Sequence, residues 1–293
     1  MSTRDRISPY TLSFFDRADA VVVMAAYFDA SSAGEFLGVG GYLFRKKFVK
    51  PFEKEWNGMR RKFGLDFFHM TDCNAQQGPF QHLEKPDCDA AARMAIASIK
   101  KFAAQGFSAA TQPVVFRGVS GAEDLLHNPF SACVSAVLAQ CGAWAEENDP
   151  DARIFYVFEA GDDHQADAHK ILQSIADNPK RRARYHYEDH AFLTKRGSLP
   201  TQAADILAWH VSKQWDREQR GIDRLRGDFS ALVESIPTRK DWLDRERLGA
   251  LLSVVTERAP VPNAARVAGL SLRVHDENER AITREIASLI RGD

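Results

Sequence analysis

The stretch that decides the fold lies near the amino terminus and reads Ala20-Val21-Val22-Val23-Met24-Ala25-Ala26-Tyr27-Phe28, followed by Asp29. Its apolar residues are continuous rather than alternating, which is typical of a central strand covered by helices on both faces. A second stretch of the same kind runs from Ile154 to Phe158 and ends at Glu159. We therefore predict two interior strands, each followed by a carboxylate.

The segments around these two strands predict a mixed sheet. Phe36 to Phe44 follows a short turn of small and polar residues, so it is expected to form a hairpin with the first strand. Amphipathic helices alternate with the later strand candidates, up to a helix from Pro200 to Trp215. This order predicts an α/β fold in which a mixed five-stranded sheet carries helices on both faces.

One domain and a helical extension account for the length of the chain. The domain is predicted over residues 1–219, with an inserted loop and helix segment at about 47–106 whose middle part, Gly64 to Pro86, has no regular period. Residues 220–293 are charged and helix-prone and contain no apolar strand candidate. We expect them to form a helical extension outside the sheet.

The carboxylates at the strand ends are the first indication of function, because such groups are costly at the rim of a hydrophobic sheet unless they bind a cation. If the two strands are parallel neighbours, Asp29 and Glu159 lie at the same edge, where open α/β sheets bind ligands. Asp205 flanks the apolar stripe of its helix and is expected to face the same cleft. Three hard oxygen donors predict a site for Mg²⁺ or Mn²⁺. The alternative is that Glu159 and Asp205 cap or hydrogen-bond local backbone.

Nearby side chains offer auxiliary roles. His69 is a candidate general acid or phosphate ligand, since an imidazole titrates near neutral pH; the alternative is a loop histidine that only hydrogen-bonds. Asp162 and Asp163 follow the strand that ends at Glu159. They either reach a metal ion or cap the helix that comes next, and capping is the commoner role.

Two further clusters have both a functional and a structural interpretation. His186, Glu188 and His190 alternate along a predicted strand, which suits either a transition-metal site or a solvated strand face. The absence of an evident fourth ligand favours the solvated face. A basic run either contacts phosphates or forms a solvated turn, and it consists of Lys180, Arg181, Arg182 and Arg184.

Four segments of the chain together resemble one bacterial protein family, the domain of unknown function 3800. They are Tyr27-Phe28-Asp29-Ala30-Ser31-Ser32, Phe68-His69-Met70-Thr71-Asp72, the acidic strand end at Glu159, and Leu199-Pro200-Thr201-Gln202-Ala203-Ala204-Asp205-Ile206-Leu207-Ala208. The resemblance spans about residues 20–215, and its most specific part is the Gln-Ala-Ala-Asp helix. It implies a ribonuclease H-like fold.

The resemblance also implies a set of site residues. Asp29 corresponds to the aspartate of the first strand, Glu159 to the acid that ends the fourth strand, and Asp205 to the helix aspartate of a metal site. His69 matches the family's loop histidine. The family commonly has Asp-Glu-Ser-Gly where this chain has Asp29-Ala30-Ser31-Ser32, so one acid is missing. The candidates to compensate for it are Glu35 and Asp72.

These features predict a divalent-metal-dependent nuclease or related phosphoryl-transfer hydrolase that acts on RNA or DNA. The expected metal ligands are Asp29, Glu159 and Asp205, and the expected auxiliary catalytic group is His69. A function of another class stays open, namely a catalytically weak ribonuclease H-like binding module that works through a protein partner or as a homo-oligomer. Ala30 favours this second function.

Composition limits the partners and the location. The 39 basic and 40 acidic residues nearly cancel, so any surface that binds phosphate must be local. The first 19 residues lack the apolar core of a secretory signal, and no apolar run is long enough to span a bilayer, which predicts a cytoplasmic protein without a membrane partner. The four cysteines lack CxxC spacing, so neither a zinc site nor a disulfide framework is expected at Cys73, Cys88, Cys133 or Cys141.

Overall fold

A computed structural model describes residues 22–161, 165–222 and 224–256. Its strands and helices alternate along the chain, as expected for an α/β protein. In chain order they are β1 (Val22–Ala33), β2 (Phe36–Arg45), α1 (Lys46–Lys62), α2 (Met70–Ala75), α3 (Lys85–Phe102), β3 (Ala103–Thr111), α4 (Pro113–Arg117), α5 (Ala122–Leu126), α6 (Pro129–Asn148), β4 (Arg153–Glu159), α7 (Gln165–Ala176), α8 (Pro179–Arg184), β5 (Tyr187–Leu193), α9 (Leu199–Gln219), α10 (Gly227–Val233), β6 (Thr238–Trp242) and α11 (Arg245–Val255).

The strands form one mixed sheet in the order β5-β4-β1-β2-β3-β6. β1, β2 and β3 are joined as antiparallel neighbours, whereas β4 lies parallel to β1, and β5 lies parallel to β4. The predicted parallel pairing of the first strand with the strand that ends at Glu159 is therefore confirmed. It brings the carboxyl ends of β4 and β5 to the edge beside Asp29.

Helices cover both faces of the sheet and bury two apolar cores. One core lies between the sheet and α1, α3 and α9, and Tyr27 and Val157 belong to it. The other core lies beneath α6, α7 and α11, and Phe28 and Phe158 belong to it. Successive strand residues point to opposite faces, so Asp29 and Glu159 lie on the face that α9 covers. All four cysteines are buried and free.

Gly40 allows α9 to lie close to the sheet. It is the β2 residue opposite Asp29. A Cβ atom at this position would lie 2.7 Å from the backbone nitrogen of Ala208 and 2.9 Å from its Cα. These distances are too short for any side chain, so glycine is required here. The close packing brings Asp205, three residues before Ala208 on α9, to the sheet edge.

The sheet contains a strand that the sequence did not predict. β6 pairs in parallel with β3, from Gly106 opposite Thr238 to Ala110 opposite Trp242. The prediction of five strands is therefore wrong, since the described residues form six. The prediction that residues after 219 form a helical extension outside the sheet is also wrong at β6, whereas α10 and α11 in the same range are helices. Residues 257–293 lie outside the described residues.

Several element boundaries differ from the predicted ones. β1 does not stop at Asp29 but continues to Ala33, so the β1–β2 hairpin projects beyond the end of β4. Gly106 lies inside β3, and a Cβ there would lie 2.6 Å from the Thr238 hydroxyl oxygen. Position 106 requires a glycine because β6 lies too close to leave room for a side chain. None of the described helices is long and apolar enough to span a bilayer.

Candidate functional site

Three carboxylates from three separate elements meet at the edge of the sheet. Asp29 is the first β1 residue beyond the pairing with β4, which ends at Phe28 opposite Phe158. Glu159 is the last residue of β4, and Asp205 lies in the second turn of α9. The fold therefore brings together the three acids that the sequence singled out.

The three carboxylates surround the ammonium group of Lys195. Its Nζ lies 2.8 Å from Glu159 Oε2, 2.9 Å from Asp29 Oδ2 and 3.2 Å from Asp205 Oδ1. Lys195 Nζ donates a hydrogen bond to Glu159, but its contact with Asp29 lacks hydrogen-bond geometry, and Asp29 Oδ2 is a buried oxygen that receives no hydrogen bond. Only 15% of the Lys195 side chain is exposed. A cation therefore already occupies the point on which the acids converge.

Burial and the interactions among these groups shift their pKa values in different directions. Burial raises the pKa of Asp29 well above its usual range, and the neighbouring Glu159 and Asp205 raise it further. For Glu159, burial acts in the same direction, but the interactions with Asp29 and Lys195 outweigh it and lower the pKa. Burial would lower the pKa of Lys195, yet the three carboxylates raise it above its ordinary value. Lys195 is thus held in its charged form.

His69 is fixed beside this cluster by two side chains of α9. Gln202 Oε1 accepts a hydrogen bond from the Phe68 amide at 2.9 Å, and Asp205 Oδ2 accepts one from the Met70 amide at 2.6 Å. The residue between these two amides is His69, and its Nε2 lies 3.5 Å from Asp205 Oδ1. Backbone contacts on both sides therefore aim the imidazole at the carboxylates.

Asp72 orients the His69 ring. Its Oδ2 lies 3.0 Å from His69 Nδ1. The other ring nitrogen, Nε2, faces Asp205. Asp72 therefore acts on the imidazole, and no contact of the described residues joins it to the three carboxylates.

Gln202 connects the parts of the site. Its Oε1 also accepts a hydrogen bond from the Trp56 indole on α1, at 2.9 Å, and its amide nitrogen donates one to the Lys195 backbone carbonyl, at 2.6 Å. The side chain is completely buried. One residue thus ties α9 to α1, to the His69 segment and to the loop that carries Lys195.

The donor set suits a hard divalent cation, because carboxylate oxygens are the ligands that Mg²⁺ and Mn²⁺ prefer. The ammonium of Lys195 marks the position that such an ion would take. In the part of the chain that the structure describes, however, no three His, Cys, Asp or Glu side chains are arranged to hold a metal ion as they stand. The carboxylates are spaced for an ammonium at 2.8–3.2 Å, whereas Mg²⁺ binds oxygen at about 2.0–2.1 Å.

No family model, curated protein or solved structure matches this chain.

The remaining acidic candidates do not join the cluster among the described residues. Glu35 is exposed in the turn between β1 and β2. It lies beyond Ala33, and the four residues from Asp29 to Ala33 span about 13 Å of extended strand. Asp162 and Asp163 lie outside the described residues.

The alternating histidines do not share a strand face. His186 precedes β5, is buried and has a positive φ of 48°. Its Nδ1 lies 3.1 Å from the Ala152 carbonyl oxygen. His190 contacts the Tyr187 hydroxyl and His169 instead. The predicted grouping of His186, Glu188 and His190 on one face is therefore wrong.

The basic run forms the short helix α8, and two of its arginines make contacts within the fold. Arg181 donates hydrogen bonds to Ser174 and to the Val255 carbonyl. Arg182 donates one to the Glu188 carbonyl. These contacts support the structural interpretation of the basic run.

Sequence reasoning missed the roles of Lys195 and Gln202. Lys195 follows the end of β5 by two residues, and β5 ends beside Glu159. The rule that pointed to the strand-end carboxylates, applied to β5, would have found Lys195 as well. Gln202 begins the Gln-Ala-Ala-Asp segment on which the family resemblance rests, but its role could not be read from that segment, because its contacts join parts of the chain far apart in sequence.

Proposed function

We propose that this protein is a divalent-metal-dependent hydrolase that cleaves phosphodiester bonds in nucleic acid. The observation that carries the proposal is the convergence of Asp29, Glu159 and Asp205 on one cation position at the carboxyl edge of the sheet. Carboxylates from three elements are held there at a cost in burial and repulsion that a bound ion would offset. Mg²⁺ or Mn²⁺ is the expected ion.

The three carboxylates would hold the ion, which when bound supplies Lewis acidity towards a phosphate oxygen and activates water. His69 presents Nε2 towards the same cleft, with Nδ1 bonded to Asp72. In this orientation His69 can take up or release a proton at Nε2. Asp72 keeps the ring in place and is a positioning residue.

Two groups next to the site suit a nucleic-acid strand. Arg196 is exposed, and its guanidinium lies 4.5 Å from the centre of the Phe67 ring. Arg196 follows Lys195 in the chain, and Phe67 precedes His69 by two residues. Arginine contacts phosphate and stacks on aromatic rings, and such rings stack on unpaired bases. This pair is therefore a candidate contact for a single-stranded substrate, RNA or DNA.

The proposal extends to the fold and the family. In a ribonuclease H-like assignment, β1, β2 and β3 are the antiparallel half of the sheet, and β4 and β5 are the half parallel to β1. β6 is then an addition beside β3. This assignment agrees with the resemblance to the domain of unknown function 3800 family and, like that resemblance, is part of the proposal.

Substitution of Asp205 by asparagine tests the proposal. Asn keeps the size of Asp and an oxygen that can accept the Met70 amide, but it removes the charge needed to hold a divalent ion. We expect Asp205→Asn to lose cleavage of a labelled oligonucleotide in the presence of Mn²⁺ and to remain folded. Added Mn²⁺ should raise the melting temperature of the unaltered protein by mass action and that of the variant much less.

The exposed residue Asp87 supplies the matched control, since Asp87→Asn makes the same chemical change away from the cluster. That control should cleave and respond to Mn²⁺ like the unaltered protein. Undiminished cleavage by purified Asp205→Asn, or an equal melting shift in all three proteins, would remove Asp205 from the mechanism.

Two observations favour the second candidate function, a binding module that works through a protein partner or as a homo-oligomer. Lys195 already neutralises part of the cluster without any metal ion. Ala30 also stands where the resembling family commonly has an acid. A titration with Mn²⁺ that detects no binding to the unaltered protein would favour this function over hydrolysis.

A further inference from the structure

Lys195 occupies an unusual place for a lysine. Its side chain is mostly buried, and its ammonium lies within 3.2 Å of all three candidate metal ligands. Buried lysines are rare unless they are paired, and here a single ammonium faces three acids. Resting on the proposed metal-dependent function, we propose that Lys195 is an exchangeable counter-ion, which holds the carboxylates together in the metal-free protein and leaves when a divalent ion binds.

The ammonium and a metal ion cannot occupy this point together. Each carboxylate offers Nζ an oxygen at 2.8–3.2 Å, and a metal ion would use the same oxygens. Two cations at one point would also repel each other strongly in a site that excludes most water. Metal binding must therefore move the ammonium away from the acids.

The chain allows this movement without rearrangement of the sheet. The Lys195 backbone is fixed through its carbonyl, which accepts a hydrogen bond from Gln202. The side chain, in contrast, has four flexible carbons, and its ammonium is a compact charge that rotation about these bonds can carry outwards. The exchange thus requires a new side-chain conformation and leaves the loop in place.

The contact of the Lys195 ammonium with the three carboxylates explains how these acids stay together without a metal ion. Repulsion among Asp29, Glu159 and Asp205 opposes their close approach. The ammonium offsets part of that repulsion, so the site keeps its shape. Lys195 therefore competes with a divalent ion for these oxygens. The ion must displace the ammonium before all three carboxylates can bind it.

Substitution of Lys195 by methionine tests the competition. Methionine keeps an unbranched side chain and removes the charge, and Lys180→Met on the exposed part of α8 is the matched control. Titration calorimetry with MnCl₂ should show that Lys195→Met binds Mn²⁺ at least about tenfold more tightly than the unaltered protein. Without metal, the melting temperature of Lys195→Met should be lower by several degrees, since the acids then repel without compensation. The control should differ from the unaltered protein in neither measurement.

A second measurement uses the unaltered protein and does not depend on how well the variant folds. An amine-acylating reagent followed by mass spectrometry reports how accessible each lysine is. Mn²⁺ should increase the acylation of Lys195 several-fold, while that of Lys180 stays constant. Acylation of Lys195 that is unchanged or reduced under conditions where Mn²⁺ binds would overturn the exchange.

The outcomes separate this inference from the proposed function. Equal Mn²⁺ affinity of Lys195→Met and the unaltered protein, with metal-dependent cleavage intact, would refute the exchange and leave the hydrolase. Binding by Lys195→Met alone would show that Lys195 blocks the site in the natural protein, and would refute both the exchange and the metal-dependent function. Binding by neither protein would refute both.

Discussion

Glu53 is a buried acid outside the candidate site whose ionisation should control stability. It lies on α1, is 6% exposed and faces the buried Tyr27. Burial raises the pKa of Glu53 to about 7, and Lys50 offsets only part of that effect. The folded protein therefore holds the proton more tightly than the unfolded chain does. The contribution of Glu53 to stability should be highest below pH 4.5, fall as the pH rises towards 7 and then stay constant.

Glu53→Gln should remove this pH dependence, because Gln resembles the protonated acid at every pH. At pH 8 the variant should be more stable than the unaltered protein by about 1–3 kcal/mol, and at pH 4 the two should be nearly equal. Urea unfolding at both pH values measures the difference. The exposed Glu123→Gln controls for the loss of one negative charge. A stability gain for Glu53→Gln that is the same at both pH values would contradict the titration of Glu53.

At the residue scale, the sequence predicts the acids of the site better than their surroundings. Asp29 and Glu159 each follow an apolar run, which places them at one edge as soon as the strands are parallel. Lys195 follows a half-buried edge strand in a polar turn, where a lysine is ordinarily solvated. Its burial depends on how close the three carboxylates come, and that distance is not encoded in any local pattern.

At the element scale, the placement of α9 depends on a single glycine. Gly40→Ala would put a Cβ within 3 Å of the Ala208 backbone and force α9 away from β2. We expect a loss of stability of about 1–3 kcal/mol, as for other overpacked cores. The displaced helix should also carry Asp205 away from Asp29 and weaken any Mn²⁺-induced melting shift.

Gly58→Ala is the matched control for that prediction. Gly58 lies inside α1, and a Cβ there would meet nothing within 4 Å. Alanine is the better helix former, so this variant should gain about 0.5–1 kcal/mol. Denaturant unfolding compares the two variants directly, and a stable Gly40→Ala protein would show that α9 tolerates a larger separation from the sheet.

Elements with a strongly apolar sequence are predictable, and elements held by pairing alone are not. α6 is buried along most of its length and β4 on both of its faces, as their apolar sequences predict. β6 reads Thr-Arg-Lys-Asp-Trp, has no buried residue and lies at the edge of the sheet. Backbone hydrogen bonds to β3 define it as a strand, and those depend on a partner more than 100 residues away.

At the scale of the whole molecule, β6 and α11 complete the structure. The Leu243 amide donates a hydrogen bond to the Ala110 carbonyl, and the Thr111 hydroxyl donates one to the Leu243 carbonyl. α11 buries Leu248 and Leu251 in the core beneath α6. A chain that ends at Gln219 loses these contacts and exposes the edge of β3, so we expect it to aggregate or to unfold without cooperativity.

A chain that ends at Thr256 is the control, since it keeps β6 and α11. Circular dichroism during heating, together with size-exclusion chromatography, distinguishes the two chains. A monomeric Gln219 truncation with a sharp thermal transition would show that the first five strands fold without the sixth.

The projecting β1–β2 hairpin borders one flank of the candidate site. Beyond Asp29, β1 and β2 continue as a two-stranded ribbon, while β4 and β5 have already ended. The Ser212 hydroxyl on α9 bonds to that of Ser31, which fixes the ribbon against the helix. The ribbon is therefore a wall on one flank of the site, beside Asp29. If the protein is the proposed hydrolase, we expect its polymeric substrate to approach from the side of β4 and β5 and to meet Lys195 and Glu159 before Asp29.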